Sequence, residues 1–527
     1  MSQLTPFEGR TVQVVRDLSP DEQLYLYEQA RRIKRATLTS EKAADLEAFR
    51  INDPDAAFYL FFMEDSTRTK ESFRNAAKFH ALRVNDFDAK TSSFQKKESI
   101  TDTVKMLVGY AERSIFAIRT SIEGTCRWLE EAIGAYSERS GKPRPAFINA
   151  GDGRHEHPTQ EFLDEFSFLE QRGWKRDHMH IALVGDLFHG RTVHSKVDGL
   201  RIFKEVEVDL VAPSEMAMPP HYVERMEELG YEVRGFESIE EYLSQGRLAS
   251  TWYFTRLQLE RMGERLLDRV EELRRTVTFR REFMDRVSSE TRFYHPLPRH
   301  GQFPTIPSFL DSTPLNAWDQ QSMNGYYTRI ALIGMVAGRL GADFQGEPRL
   351  MPEYRDDFVQ EVSSRKRRKP EYKVGIKPVE SGIVIDHIGK GRTPEEIWDQ
   401  IDKIRRILSL HCVSSHGVYT SHSDDSHKGI ISLPDWRVFD DRQMKILGAV
   451  APGSTLNVVR LGQVEQKFRM SMPPRIYNLP ETACTNEACI SSPDHNEVPT
   501  AEFFQTGAQR YTCKFCERPH SFEEIWL

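Results

Sequence analysis

The sequence lacks the features that mark membrane proteins, secreted proteins and nucleic-acid binders. No uninterrupted apolar stretch approaches the ~20 residues that a membrane-spanning helix needs. Only six residues are cysteine, and no secretory signal precedes Met1-Ser-Gln-Leu, so we expect a reducing, cytoplasmic location. Positive charge is not in excess either: the net charge is −7, whereas a nucleic-acid backbone requires a basic surface.

Two common phosphate-binding motifs are also missing. The chain has no GxGxxG and no Gly-Lys-Ser/Thr of the Walker type, which argues against a dinucleotide fold and a P-loop. One basic run, 365–369 (RKRRK), is followed by Pro370 within a polar stretch, a pattern typical of a solvated linker. What remains is a globular protein, with 39% hydrophobic and 29% charged residues.

The 527 residues predict three or four domains, because single hydrophobic cores stop growing well below that length. From about residue 5 to 340, short apolar strands alternate with amphipathic helices, which predicts parallel sheets covered by helices. We divide this region into two doubly wound α/β lobes, 1–150 and 151–340. The predicted strands are 56–63, 115–118, 145–149, 180–187, 206–211, 250–255 and 292–296.

The alternation of strand and helix stops after residue 340. Residues 341–370 read as a linker. Residues 371–468 predict an α+β domain, with strand-like text at each end, a long helix at 394–410 and a polar loop at 421–429. Residues 469–527, which contain most of the cysteines, predict a small β domain of zinc-ribbon type.

The segment Ser66-Thr67-Arg68-Thr69-Lys70 is the strongest single indication of a binding site. It follows the buried strand 56–63, and Ser66 is placed to cap a helix whose apolar face begins at Phe73. The first turn of a helix offers free N–H groups and partial positive charge, and hydroxyls and cations stand at the same place. The segment therefore predicts a phosphate site. An ordinary capped helix with solvated charges is the alternative.

Four cysteines in the last part of the chain form a metal-binding pattern. Cys484 and Cys489 are separated by four residues, and Cys513 and Cys516 by two. Paired thiolates at such spacing suit tetrahedral zinc, and a site with four thiolates is structural because no coordination position stays open. Two disulfides are the alternative; the isolated Cys126 and Cys412 favour reduced thiols and zinc.

Further polar motifs stand at the ends of predicted strands, where ligands bind in open parallel sheets. They are Arg119, the segment 157–160 (HPTQ), the segment 185–195 (GDLFHGRTVHS), the segment 255–258 (TRLQ) and the segment 295–298 (HPLP). Several arginines and neutral polar groups converge, without an activated Ser or Cys nucleophile. Such a cleft suits a polyanionic substrate pair that reacts directly, with charge neutralisation as the main catalytic effect.

These motifs, in this order and at this spacing, resemble the catalytic chain of aspartate carbamoyltransferase over about residues 5–340. Residues 371–527, with 382–388 (GIVIDHI) and the cysteine pattern, resemble the regulatory chain of the same enzyme. The two chains look fused here, with the catalytic part first. The resemblance implies two lobes of the carbamoyltransferase fold, a regulatory nucleotide-binding domain, structural Zn²⁺ as the only cofactor, and a role in de novo pyrimidine biosynthesis.

The resemblance also implies a mechanism and roles for individual residues. Carbamoyl phosphate binds first, the amine of L-aspartate attacks its carbonyl carbon, and phosphate leaves through a tetrahedral oxyanion. The catalytic residues would be Arg68, Thr69, Arg119, His157 and Gln160. Carbamoyl phosphate would be bound by Ser66, Thr67, Arg68, Thr69, Ser93, Lys97, Arg119, His157, Gln160, Pro296 and Leu297, and aspartate by Lys97, Arg191, Arg256 and Gln258.

Two of these residues carry an implication for assembly. Ser93 and Lys97 match a family loop that enters the active site of the neighbouring subunit, so the resemblance implies a homotrimer or a larger oligomer. By sequence alone this segment is a flexible polar loop. For His189, His194 and His295 we expect structural hydrogen bonds and no catalytic role.

The sequence departs from the family pattern mainly in the regulatory half. Asp386, His387, Lys428 and Lys467 match positions near the nucleotide effector, but Ser432 stands where a lysine that contacts the pyrimidine effector is expected. The helix 394–410 and the loop 421–429 are insertions. In the catalytic half, Thr120-Ser121 replaces the usual His-Pro after Arg119, and the loop after Lys97 is one residue short.

Three alternative functions remain. An ornithine carbamoyltransferase carries a Cys at the position of Pro296 and an SMG motif, and its acceptor bears an ammonium group; HPLP and the Arg256-x-Gln258 pair favour a dicarboxylate acceptor. A non-catalytic, nucleotide-sensing zinc scaffold is disfavoured by the complete set of site residues. A zinc ribbon that binds nucleic acid is disfavoured by the acidic composition.

Overall fold

A computed structural model describes the protein over most of its length. The described residues are 5–39, 42–88, 98–258, 269–302, 304–350, 357–363, 379–410, 415–420, 425–436, 439–497 and 499–527. They form two compact units. The first comprises residues 1–350, 486–499 and 515–517, and the second comprises residues 351–485, 500–514 and 518–527.

The first unit contains two parallel sheets, as the alternating pattern predicts. The N-terminal sheet has four strands in the order β2-β1-β3-β4. Its strands are β1 Ala56–Phe62, β2 Arg83–Asp88, β3 Arg113–Thr120 and β4 Ala146–Asp152. β1 is central and wholly buried, and its Phe61 lies opposite Phe87 of β2 and Ile118 of β3. A strand covered on both faces is apolar throughout, which explains the run AAFYLFF.

The second parallel sheet has five strands in the order β7-β6-β5-β8-β9. Its strands are β5 His178–Val184, β6 Glu205–Val211, β7 Glu232–Phe236, β8 Thr251–Phe254 and β9 Arg292–Tyr294. The helices of this unit are α1 Pro20–Leu38, α2 Lys42–Glu47, α3 Thr67–Phe79, α4 Ile100–Gly109, α5 Thr125–Ser140, α6 Pro158–Gln171, α7 Arg191–His194, α8 Lys196–Gly199, α9 Pro220–Glu228, α10 Ile239–Leu243, α11 Val270–Val277 and α12 Trp318–Val336.

One long helix fixes the spacing between the two sheets. α12 is buried around most of its circumference and packs against α1, α3 and α6. Every residue of α12 from Tyr327 onward is buried, so this half of the helix lies in the interior. A continuous hydrophobic cluster extends from the first sheet to the second. Because the core is continuous, the carboxyl ends of both sheets are held at a fixed separation.

The second unit contains two antiparallel sheets. One has six strands in the order β10-β15-β14-β11-β13-β12, and the other has the order β16-β17-β18-β19. The strands are β10 Val359–Glu361, β11 Gly382–Ile388, β12 Ser415–Thr420, β13 His427–Pro434, β14 Thr455–Arg460, β15 Gln463–Met470, β16 Arg475–Ile476, β17 Phe503–Gly507, β18 Arg510–Cys513 and β19 Pro519–Ser521. The helices in the described part of this unit are α13 Pro394–Ile407 and α14 Asp441–Val450.

Several element boundaries differ from the sequence-based expectations. β2 and β7 were not predicted, because exposed edge strands carry charged residues and lose the apolar run that marks a central strand. α13 ends at Ile407, since Ser409 has a φ of 53° and leaves the helical region. The expected loop 421–429 is wrong at its end, where β13 already begins at His427.

The expected linker 341–370 also contains a short strand. β10 pairs with β15, with Val359 opposite Met470, and so forms the edge of the six-stranded sheet. The basic run 365–369 lies outside the described residues. No helix among the described residues is long and apolar enough to cross a membrane.

Candidate active site

A cavity of about 990 Å³ opens at the carboxyl ends of strands from both parallel sheets. Five arginines but only three carboxylates line it, so it favours anions. Ser93 and Lys97 lie outside the described residues. Every other residue that the sequence assigned to the two substrates lines this one cavity: Ser66, Thr67, Arg68, Thr69, Arg119, His157, Gln160, Arg191, Arg256, Gln258, Pro296 and Leu297.

The turn after β1 presents the start of α3 to the cavity. Ser66 occupies the N-cap position in an extended conformation, but its side chain makes no capping hydrogen bond, contrary to the expectation of a capping serine. The helix N-terminus therefore keeps N–H groups that an anion can use. Thr69 is buried and Arg68 lies one residue before it, also in the cavity wall.

Glu64 is an active-site residue that the sequence analysis did not identify. Its Oε2 lies 3.8 Å from Nε of Arg119 and 3.4 Å from Nη1 of Arg191. The backbone holds both arginines in place, since Arg119 donates to the carbonyl of Ala150 at 3.1 Å and Arg191 to that of Gly153 at 3.0 Å. An anionic substrate would compete with Glu64 for both guanidinium groups. The sequence could have indicated Glu64 by its position in the turn that follows β1.

His157 stands at the start of α6, close to these cations. Its backbone N–H donates to Oγ of Ser195 at 3.0 Å. Burial, together with the positive charges of Arg119 and Arg191, holds the pKa of His157 well below its usual value. The imidazole is therefore neutral near pH 7, with one ring N–H able to donate a hydrogen bond.

Asp186 organises the side of the cavity that faces the second sheet. Its carboxylate accepts from the backbone N–H of Gln258 at 3.2 Å and contacts Nδ1 of His189 at 3.1 Å. Nε2 of Gln258 donates to the carbonyl of His189 at 2.8 Å. The segment that carries Arg256 and Gln258 is thus tied to the loop after β5.

The other two histidines also bind the protein's own backbone. His194 contacts the carbonyl oxygens of Arg154 and Leu187, at 2.8 and 2.9 Å. Nδ1 of His295 accepts from the backbone N–H of Leu297 at 2.8 Å. Burial lowers the pKa of His194 to about 4 and that of His295 to about 3. This geometry agrees with the structural roles expected for them.

The four C-terminal cysteines form one cluster. Their sulfur atoms lie within 4.8 Å of one another, and three of the four residues are buried. No disulfide joins any pair of cysteines in the described part of the chain. Nε2 of His520 lies 3.5 Å from Sγ of Cys484. A buried set of four thiol groups at this separation is the donor set of a structural metal site with soft ligands.

Two C-terminal segments, 486–499 and 515–517, belong to the first compact unit. Residues 486–499 pair with the loop after β3: the N–H of Glu123 donates to the carbonyl of Ala488 at 2.8 Å. Glu517 forms an ion pair with Arg16 at 2.8 Å and lies 3.8 Å from Nε2 of His155. Sequence reasoning missed these residues because long-range ion pairs leave no periodic signal.

The candidate effector residues lie on three strands of the six-stranded sheet: Asp386 and His387 on β11, Lys428 on the adjacent β13, and Lys467 on β15, which β14 separates from β11. Nζ of Lys428 lies 2.8 Å from Asp386, so this cation already has a partner. Burial lowers the pKa of His387, and the charges of Lys428 and Lys467 act in the same direction. Ser432 is buried on β13.

The sequence matches four protein-family profiles in succession. Residues 10–170 match the carbamoyl-P binding domain of aspartate/ornithine carbamoyltransferase, and residues 177–336 match its Asp/Orn binding domain. Residues 374–471 match the allosteric domain of the aspartate carbamoyltransferase regulatory chain, and residues 474–526 match its metal binding domain.

Individual relatives agree with these profiles. Protein PyrBI of Thermotoga maritima is 52% identical over 99% of both chains, and Protein PyrBI of Treponema denticola is 50% identical over 99% of this chain and 98% of its own length. A crystal structure of aspartate transcarbamoylase from Trypanosoma cruzi, in complex with carbamoyl phosphate and aspartate, is also similar. It has a TM-score of 0.53 and 26% identity, and the match covers 63% of this chain and 98% of that one.

Two parallel-sheet lobes that share an arginine-rich cavity, each matching one half of the carbamoyltransferase profile, define the class as a carbamoyltransferase. The regulatory profiles and the full-length relatives show which kind of carbamoyltransferase this is. The chain belongs to the aspartate carbamoyltransferase family, in the form that joins the catalytic and regulatory chains in one polypeptide.

Proposed function

We propose that the chain transfers the carbamoyl group of carbamoyl phosphate to L-aspartate, which gives N-carbamoyl-L-aspartate and phosphate for pyrimidine biosynthesis. The observation that carries this proposal is the single cavity lined by the start of α3, by Arg119 and by Arg191 and Arg256. It offers a phosphate site beside paired guanidinium groups. Arginine binds carboxylates bidentately, which suits an acceptor with two carboxylates.

The reaction requires no covalent intermediate with the protein. The lone pair of the aspartate amine forms a C–N bond with the carbonyl carbon, and the carbonyl oxygen becomes an oxyanion. The oxyanion then re-forms the carbonyl as the bond between the carbonyl carbon and the bridging phosphate oxygen breaks. Phosphate leaves with that electron pair, and the amine proton passes to phosphate or solvent. Holding the two substrates together and neutralising the developing charge are the contributions left to the protein.

We assign these contributions to the cavity residues as follows. Ser66, Thr67 and Arg68 bind the phosphate at the N-terminus of α3, where the N-cap side chain is not engaged in capping. Thr69, Arg119 and His157 stabilise the oxyanion. The low pKa of His157 supports a neutral donor, which can bind the oxyanion without giving up its proton.

The remaining residues bind the NH2 group of the donor and the carboxylates of the acceptor. Gln160 and the backbone carbonyls of Pro296 and Leu297 accept hydrogen bonds from the carbamoyl NH2 group. Arg191, Arg256 and Gln258 bind the carboxylates of aspartate, so substrate binding would draw Arg191 away from Glu64.

We expect the purified chain to carbamoylate L-aspartate and to leave L-ornithine unreacted. The acceptor side of the cavity presents Arg191, Arg256 and the amide of Gln258, which repel or fail to pair with an ammonium side chain. Product formation from each acceptor, measured by mass spectrometry at equal concentrations, tests this. Turnover of ornithine equal to or above that of aspartate would favour the ornithine-type alternative.

Assembly, metal and regulation complete the proposal. Cys484, Cys489, Cys513 and Cys516 hold a structural Zn²⁺, which their clustering supports. Ser93 and Lys97 complete the site of a neighbouring subunit, so the working form is at least a homotrimer in the cytoplasm. The positions that match the nucleotide effector site are Asp386, His387, Lys428 and Lys467, and we expect weak or absent inhibition by CTP because Ser432 replaces a lysine there. Because Lys428 is paired with Asp386, few charges are left for a triphosphate.

We also propose the domain limits that the sequence predicted. Residues 1–150 would bind carbamoyl phosphate and residues 151–340 aspartate. Residues 371–468 would form the regulatory domain, and residues 469–527 the zinc domain. The family profiles, which change at 170–177 and 471–474, support a division of this kind.

A further inference from the structure

A buried carboxylate below the cavity controls which way the amide of Gln160 points. Oδ1 of Asp164 accepts a hydrogen bond from Nε2 of Gln160 at 2.8 Å. Gln160 and Asp164 stand four residues apart on α6, so their side chains share one face of the helix. A carboxylate accepts hydrogen bonds and does not donate. The amide must therefore turn its NH2 group to Asp164, which leaves the carbonyl oxygen for the cavity.

A buried lysine binds the other oxygen of the Asp164 side chain. Nζ of Lys196 lies 2.9 Å from Oδ2 of Asp164 and 2.6 Å from Glu161, and the side chains of all three are fully buried. Burial opposes the charge of Lys196, but the negative charges of Asp164 and Glu161 outweigh it and raise its pKa. A permanent cation on one carboxylate oxygen leaves the other free to accept from Gln160.

The same carboxylate also reaches the second acceptor of the proposed carbamoyl site. Nε2 of Gln321 donates to Oδ1 of Asp164 at 2.6 Å, and Oε1 of Gln321 accepts from the backbone N–H of His295 at 2.9 Å. His295 begins the turn that carries Pro296 and Leu297, and both residues line the cavity. Both sets of acceptors are thus fixed by one oxygen atom.

We propose that Asp164, held by Lys196, is a positioning residue that makes the cavity selective for an acyl phosphate bearing an NH2 group. It does so by aiming hydrogen-bond acceptors, the Oε1 atom of Gln160 and the turn at His295, at that group. The proposal rests on the proposed function and adds the determinant of donor selectivity. Asp164 touches no substrate and acts only through Gln160 and Gln321.

The variant Asp164→Asn tests this by reversing the polarity of the network. Lys196 retains the oxygen of the new amide, so its NH2 group faces Gln160 and Gln321 and turns the Gln160 amide by 180°. Gln160 then presents a donor to the donor group of the substrate. The probe is acetyl phosphate, in which a methyl group replaces NH2. We measure kcat/KM for carbamoyl phosphate and for acetyl phosphate with L-aspartate, or the inhibition constant of acetyl phosphate where it is not turned over.

We expect the preference for carbamoyl over acetyl phosphate to fall about ten- to a hundredfold, equivalent to about 1.4–2.8 kcal/mol, because the flipped amide leaves a donor facing the NH2 donor of the substrate. The kcat/KM or inhibition constant for acetyl phosphate should be nearly the same in Asp164→Asn and in the wild type. A merely structural role for Asp164 would lower both values together and leave the preference unchanged, which would overturn the proposal. A wild-type chain without carbamoyl transfer would instead refute the proposed function.

The chain offers a matched control and a second variant. Glu165→Gln alters the adjacent buried carboxyl, whose pKa burial raises well above its usual value, so the substitution replaces one neutral group with another. It should leave the preference unchanged. If Asp164→Asn does not fold, Gln321→Met removes the link to His295 at similar volume and should lower the preference in the same direction. An unchanged preference in Gln321→Met would then overturn the proposal.

Discussion

Replacement of Arg119 by alanine is expected to lower kcat by about a thousandfold. The side chain stands at the end of β3 in the cavity wall, and we assign it to both the phosphate and the developing oxyanion. Loss of one oxyanion donor alone typically costs about a hundred- to a thousandfold in kcat. Steady-state kinetics with both substrates saturating would compare kcat of Arg119→Ala with that of the wild type.

A second arginine on the same strand provides the control. Arg113 lies at the opposite end of β3 and donates to the carbonyl of Ala337 at 3.0 Å, away from the cavity. The variant Arg113→Ala should keep kcat within about threefold of the wild type, as expected for a substitution away from special features. A similar loss in both variants would indicate a defect of the sheet and would contradict the role of Arg119.

Loss of the C-terminal metal is expected to unfold the cysteine-rich domain. Cys513 is one of the four clustered cysteines and lies at the end of β18, so Cys513→Ser removes a ligand and disturbs a strand. In small metal-bound domains the free energy of metal binding is a large part of the free energy of folding. We expect zinc content to fall from about one ion per chain to almost none, and amide hydrogens in 474–526 to exchange rapidly.

Cys126 is a suitable control for this experiment. It is a buried cysteine in α5, outside the cluster, so Cys126→Ser should retain zinc. No cysteine lines the cavity, so we expect carbamoyl transfer to persist in Cys513→Ser. Retention of a full equivalent of zinc in Cys513→Ser would show that the metal is held elsewhere.

The prediction from sequence was best in the catalytic half, where buried apolar strands are followed directly by polar motifs. Central strands such as β1 and β5 are apolar because helices cover both faces, and the polar motifs after them are unusual enough to identify a family. The sharp boundary after β1 therefore located the turn before α3 within a residue or two. The same reasoning identified the metal site, since thiolate spacing follows directly from tetrahedral geometry.

The misses have a common physical origin. β2, β7 and β10 are edge strands, whose identity depends on pairing partners rather than on their own residues. Glu64 and Asp164 act through residues brought close by the fold, and neither belongs to a motif. Asp164 lies in α6, which is buried from Pro158 to Leu169, and its contacts with Lys196 and Gln321 reveal its position below the cavity.

The central claim is that one cavity binds the phosphate of the donor and the carboxylates of the acceptor together. N-(phosphonacetyl)-L-aspartate, which joins both groups in one molecule and is bound in a crystal structure of the Trypanosoma cruzi relative, tests this directly. Calorimetric titration should give one molecule per chain for the wild type, and at least about tenfold weaker binding for Arg119→Ala, since one charged contact is lost. Equal affinity in the two proteins, or no binding to the wild type, would contradict the account.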